Sequence, residues 1–194
     1  DFRAGLRPAL IALALTAFFL IASCKFGNSD LDEASKLNQS AGVDVGEVEK
    51  IIQENRAKES DITRAINAED YETAKRQMED VIGAIDRGIE RAQSAAEKFD
   101  KASKLDIEPM IKEYLSYRAQ YINKAIEAFR ELRKGIVAFR DAAGSKDKAV
   151  TNKAKMDVQQ ASQTFESLIS EAQRLEEKAD DIARRNPDKI KPGK

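Results

Sequence analysis

Histidine is missing from this chain altogether. Its absence removes the usual general base near neutral pH and the commonest metal ligand. There is one cysteine, so no disulfide can close within the chain. Tryptophan is absent, and aromatic residues make up only 6%. Four prolines and nine glycines in 194 residues are too few for a fold of many tight turns. Neither sign of charge is in excess. The 33 basic and 34 acidic side chains leave a formal net charge of -1, so nothing electrostatic points to nucleic acid. What remains is rich in Ala, Glu, Lys and Arg, with charged residues at 35%. That mixture belongs to long helices rather than sheets.

The strongest local pattern lies at the start. Arg3 and Arg7 precede an apolar stretch from Ala9 to Ala22, "ALIALALTAFFLIA". The stretch matches a secretory h-region in length and is short for a membrane-spanning helix of ~20 residues. Small residues follow it, and then the lone cysteine, Cys24.

Ile21-Ala22-Ser23-Cys24 resembles a bacterial lipobox: an aliphatic residue, two small residues, then Cys. The resemblance covers about the first 24 residues. It implies that the Cys24 thiol receives a diacylglycerol, that the chain is cut between Ser23 and Cys24, and that Cys24 becomes the acylated first residue of the mature protein. Lys25 follows the cysteine. In the family an Asp there favours inner-membrane retention, so Lys25 implies the outer membrane, facing the periplasm. The physics agrees, because stable anchoring needs more than one acyl chain and a diacylglyceryl group supplies two.

Beyond the leader (1–23), residues 24–43 are polar and lack a sustained period, which predicts a lipid-anchored flexible tether. A short helical turn over Leu31 to Leu37 is compatible with it. The expected bundle spans 44–186, and a basic disordered tail covers 187–194. Asp44 and Glu47 fit a capping box opening a first helix over about Val45 to Ala68. Asn55 and Glu59 interrupt its apolar face, leaving the weakest seam of the set. Asp70 caps a second helix, with Ala74, Met78, Val81, Ile85, Ile89, Ala96 and Phe99 repeating by threes and fours as far as about Lys104. Gly83 and Gly88 lie inside it, as points of close helix approach or of bending. Asp106 and Pro109 open a third helix, striped by Ile111, Leu115, Ile122, Phe129, Leu132, Ile136 and Phe139. Gly144 stops it, and Ser145 or Asp147 starts the fourth. The fourth stripe is the cleanest, running from Val150 through Val158, Phe165 and Leu175 to Ile182.

Short turns between long amphipathic helices make neighbours antiparallel. The expected fold class is therefore all-α, an elongated up-and-down bundle. It has four helices, or three with a long bent second helix running through "NAEDYETA". "INAEDYETA" also resembles the inter-helix segment of tetratricopeptide-like hairpins. It occurs once, with no second copy at 34-residue spacing, and reads as a hairpin turn.

Three groups of residues are candidates for chemistry. Glu176, Glu177, Asp180 and Asp181 are acidic at metal-compatible i, i+4 spacing, but Arg174, Lys178, Arg184 and Arg185 surround them. The expectation is a solvated face of ion pairs, not a metal site. Tyr114, Tyr117 and Tyr121 form a stripe expected to pack at the bundle edge. Arg118 interrupts the seam of the third helix, and is expected to snorkel outward or pair with a carboxylate on a neighbour. A buried functional charge is the alternative.

No phosphate loop, nucleophile elbow or Cys/His pair occurs. The expected function is thus non-enzymatic, without cofactor or metal: a lipid-anchored envelope lipoprotein whose helical domain is a scaffold, spacer or partner-binding module. Its expected partners are the membrane, through Cys24, and a protein; nucleic acid is not expected. The alternative is a periplasmic chaperone-like or small-ligand-sensing bundle.

Overall fold

A computed structural model describes residues 19–21 and 29–192 of the chain. It is an all-α bundle of four helices: α1 (Ser29–Asn67), α2 (Tyr71–Ser103), α3 (Pro109–Ala142) and α4 (Lys148–Arg185). Two three-residue strands, β1 (Phe19–Ile21) and β2 (Ile190–Pro192), form an antiparallel pair with Leu20 opposite Lys191.

The helices break where the sequence supplies stop and start chemistry. Asp70 caps α2 by accepting a hydrogen bond from the Thr73 amide at 3.1 Å. Glu69, just before it, turns the chain with φ 57°. The chain therefore reverses at 68–70 instead of continuing as one bent rod, which makes four helices rather than three. Gly144 ends α3 with φ +77°, a left-handed conformation that suits glycine. Asp147 then caps α4, accepting from the Ala149 amide at 2.8 Å. The cap of α3 differs from expectation. Glu108 occupies the position ahead of Pro109 and makes no side-chain cap bond. The amide of Asp106 instead donates to Asp30 Oδ2 at 2.8 Å, tying the α2–α3 loop to the first turn of α1.

The main correction concerns α1. It begins at Ser29, so the segment expected to be tether is helix from there on, and Asp44 lies mid-helix rather than at a cap. The reason lies in the seam. Ala34, Asn38 and Ala41 are buried at three- and four-residue spacing and continue into Val45 and Val48. Small and polar residues carry that face, so hydrophobicity alone does not reveal its period. The tail differs as well. Ile190 is fully buried and belongs to β2, so the chain after α4 is not a structureless extension as far as Pro192. Ser23 and Cys24 lie outside the described residues.

Sequence neighbours pack antiparallel. Lys58 meets Asp80 and Glu33 meets Lys101 between α1 and α2. Asp86 meets Arg133 and Glu79 meets Arg140 between α2 and α3. Phe129 and Phe165 stack edge-on at 6.1 Å between α3 and α4. The core follows the expected stripes, with Met78, Phe99, Leu115 and Phe165 almost wholly buried. Val150 departs from its stripe and is exposed. α3 and α4 approach closely at Gly135, where a Cβ would lie 2.9 Å from the Ala161 Cβ. At Gly83 and Gly88 a Cβ would fit without clash, so neither serves a close helix contact. No helix among the described residues is long and apolar enough to cross a membrane.

Candidate functional site

Buried charge concentrates in two places. The first is centred on Asp44 of α1, which is 4% exposed. Ser94 Oγ of α2 donates to its Oδ2 at 2.7 Å, and Lys98 Nζ donates to the same oxygen. Arg91 Nη1 lies 3.6 Å from Oδ1 while its Nε bonds Glu47 at 2.7 Å. Burial alone would raise the Asp44 pKa. The hydrogen bonds from Lys98 and Ser94, with the charges of Lys98 and Arg91, outweigh it and hold the carboxyl below its ordinary value. One carboxylate thus meets two cations and a hydroxyl.

The second cluster has the opposite ratio. Arg118 of α3 is 2% exposed and lies among the core side chains. Its guanidinium carbon stands 5.7 Å from the Phe99 ring centroid and 5.6 Å from that of Tyr121, both at cation–π range. Nη1 approaches Glu176 Oε1 of α4 to 3.9 Å, an ion pair longer than a hydrogen bond. Asp180, one turn further along α4, and Glu49 of α1 also feel the Arg118 charge. Three carboxylates from two helices therefore share one guanidinium.

Their protonation follows from that arithmetic. Burial pushes Glu176 up to about 7; Arg118 opposes the shift, while Asp180, Glu177 and Glu49 add to it. Burial also raises Asp180 and Glu49, again against the pull of Arg118 and, for Asp180, of Arg184. The phenol of Tyr121 is pushed up by burial and by the nearby carboxylates, so it stays protonated. Glu176 Oε1 and Asp180 Oδ1 are buried without a hydrogen-bond partner among the described residues.

This corrects the reading of the acidic run on α4. Asp181 behaves as expected, pairing with Arg184 and Arg185 near the surface. Glu176 and Asp180 instead turn toward the interior. The tyrosine stripe packs, with Tyr114 and Tyr121 buried and Lys178 Nζ 5.3 Å above the Tyr117 ring. Arg118 takes the alternative of a buried charge while also pairing across to α4. A sequence signal for this cluster did exist. Arg118 is in phase with Ile111, Leu115 and Ile122, and Glu176 with Ala172 and Ala179, so opposite charges occupy facing seams.

One other feature is less suited to chemistry. A cleft of about 40 Å³ lies between α1, α2 and α3, lined by Val48, Ile52, Asn55, Ile85, Gly88 and Leu132. It is far smaller than the ~300 Å³ of a ligand pocket. Its one polar group is engaged, since Asn55 Nδ2 donates to the Ile51 carbonyl at 2.8 Å. Among the described residues, no group of three or more His, Cys, Asp or Glu side chains is placed to hold a metal ion.

Comparison with protein-family models, with curated proteins and with solved structures finds no match for this chain.

Proposed function

We propose that this chain is a bacterial envelope lipoprotein, held to a membrane by acyl chains on Cys24, whose helical bundle is a non-enzymatic scaffold, spacer or partner-binding module. The observation that carries this reading is Ile21-Ala22-Ser23-Cys24 at the end of an apolar leader, with the chain's one cysteine at the acceptor position. Each buried methylene contributes ~0.8 kcal/mol, so two acyl chains hold a protein of this size stably where one would not.

The bundle sets the geometry of such an anchor. Only residues 25–28 separate Cys24 from the first residue of α1. That short link reaches at most ~15–18 Å, so the bundle stands close to the bilayer. The end bearing the start of α1, the α2–α3 loop and the end of α4 would face the lipid. The turns at 68–70 and 143–147 would lie about 50 Å away, one helix length outward. That far end is the surface offered to a partner, most simply from the outer membrane into the periplasm. Cleavage before Cys24 would also remove β1 and leave the edge of β2 open.

The test is mass spectrometry of the protein extracted from a membrane fraction, alongside a Cys24→Ser variant. A diacylglyceryl mass on an amino-terminal Cys24, and an unprocessed or unanchored serine variant, is the expected result. An unmodified Cys24, or a leader cut elsewhere with the product free in solution, refutes the proposal.

A further inference from the structure

We infer that the carboxylates of Glu176, Asp180 and Glu49, gathered round the one buried guanidinium of Arg118, make this bundle a proton-sensitive device in which α4 is tight against α3 when the cluster holds a proton and loosens when the proton leaves. The inference rests on the bundle alone and is independent of the lipid anchor.

The geometry supplies the mechanism. Arg118 is deeply buried: Phe99 of α2 and Tyr121 of α3 cover its guanidinium, Glu176 stands opposite on α4, and its charge reaches Glu49 of α1. The groups facing Glu176 are Arg118 and Tyr121 on α3, Asp180 and Glu177 on α4, and Glu49 on α1. The contact given by α2 is the uncharged Phe99 ring. Arg118, with Arg184 acting only on Asp180 from the end of α4, does not balance three ionised carboxylates in this half-buried region. With Glu176 ionised beside Asp180, repulsion acts along the last four turns of α4, where the fully buried side chains are Ala172, Ala179 and Ala183, and Leu175 and Ile182 are only partly buried. Alanines bury little apolar area, so this stretch resists such repulsion weakly. With Glu176 protonated, the cluster loses one negative charge and its acid proton gains the freedom to donate to a neighbouring oxygen.

The sign follows from linkage. Glu176 ionises near 4.5 in an unfolded chain and near 7 in the fold. Its contribution is therefore complete below the unfolded value and is lost as pH rises through about 7. Between pH 5.5 and 8 this amounts to a roughly 30-fold fall in the folded-to-unfolded ratio. The chain has no histidine to titrate in that window, so the signal has little background.

The experiment uses the full chain, with thermal and urea unfolding from pH 5.5 to 8 and ¹³C carboxyl titration by NMR. The expected result is a glutamate carboxyl titrating near neutrality. Stability should fall as pH rises, and amide exchange in the C-terminal half of α4 should quicken by pH 8. Glu176→Gln should remove that titration and flatten the pH dependence, and Asp180→Asn should shift the titration downward. The inference is overturned if no carboxyl of the wild-type chain titrates above pH 6. It is equally overturned if the Gln variant folds and keeps the wild-type loss of stability.

Discussion

The two buried charge clusters differ in one respect that decides everything else about them. At Asp44 a single carboxylate meets Lys98, Arg91 and Ser94. At Arg118 a single buried guanidinium pairs with Glu176 and acts through its charge on Asp180 and Glu49. Burial acts in the same direction on the carboxylates of both. The first carboxylate is nevertheless held ionised and the second group is driven toward its neutral form. Burial raises the carboxylates of both clusters, and the cations and donors beside each one decide whether that push is outweighed, as at Asp44, or prevails, as at Glu176. The Asp44 cluster therefore resembles a clasp between α1 and α2, and the Arg118 cluster a frustrated site between α1, α3 and α4.

The comparison is most sharply broken by removing the shared guanidinium. Arg118→Met keeps much of the side-chain volume but leaves Glu176, Asp180 and Glu49 facing one another. Breaking such a buried pair from one side costs ~3–5 kcal/mol. Urea unfolding at pH 8 should show a loss of that order. The loss should shrink at pH 5.5, where Glu176 is protonated. A loss independent of pH would mean that packing, not charge, fixes Arg118 in place.

Asp44→Ala comes next. It removes the acceptor for Ser94 and Lys98, but the Lys98 side chain is 27% exposed and can turn toward water. The expected loss near neutrality is about 1–3 kcal/mol. Its pH dependence runs opposite to that of Glu176. The Asp44 contribution is present above the ordinary value of 3.8 and disappears as pH falls through the lower folded value. Variant and wild type should therefore converge in acid, as followed by helical circular dichroism.

The smallest effect sharpens the same contrast. Ser94→Ala deletes one neutral donor and leaves both cations in place. It should cost about 1 kcal/mol and move the Asp44 carboxyl titration upward in NMR. A titration that does not move would assign the low value to Lys98 and Arg91 alone.

Helix after helix, legibility depended on side-chain size. The stripes of α2, α3 and α4 carry Ile, Leu, Met and Phe at helical spacing, and the same residues fill the core. The Asp70 cap and the Gly144 stop were equally readable, because each rests on local chemistry. The first half of α1 was not, because Ala34, Asn38 and Ala41 look polar or neutral in isolation. Nor was the turn of Glu176 and Asp180 toward the interior, since neighbouring arginines made a solvated face the simpler reading. The lipobox-like run Ile21-Ala22-Ser23-Cys24 stands apart from all of these, since Ser23 and Cys24 fall outside the described residues.

The sequence by itself determined that this protein would be a stack of long helices with few turns. Period and capping act within a few residues of each position, so they can be read along the chain. Only the tertiary structure decided which charges share a buried volume. Arg118 and Glu176 are 58 positions apart, and Asp44 and Lys98 are 54 apart. The pairing of such distant groups depends on how the rods are laid side by side, and with it which carboxyls can keep their charge.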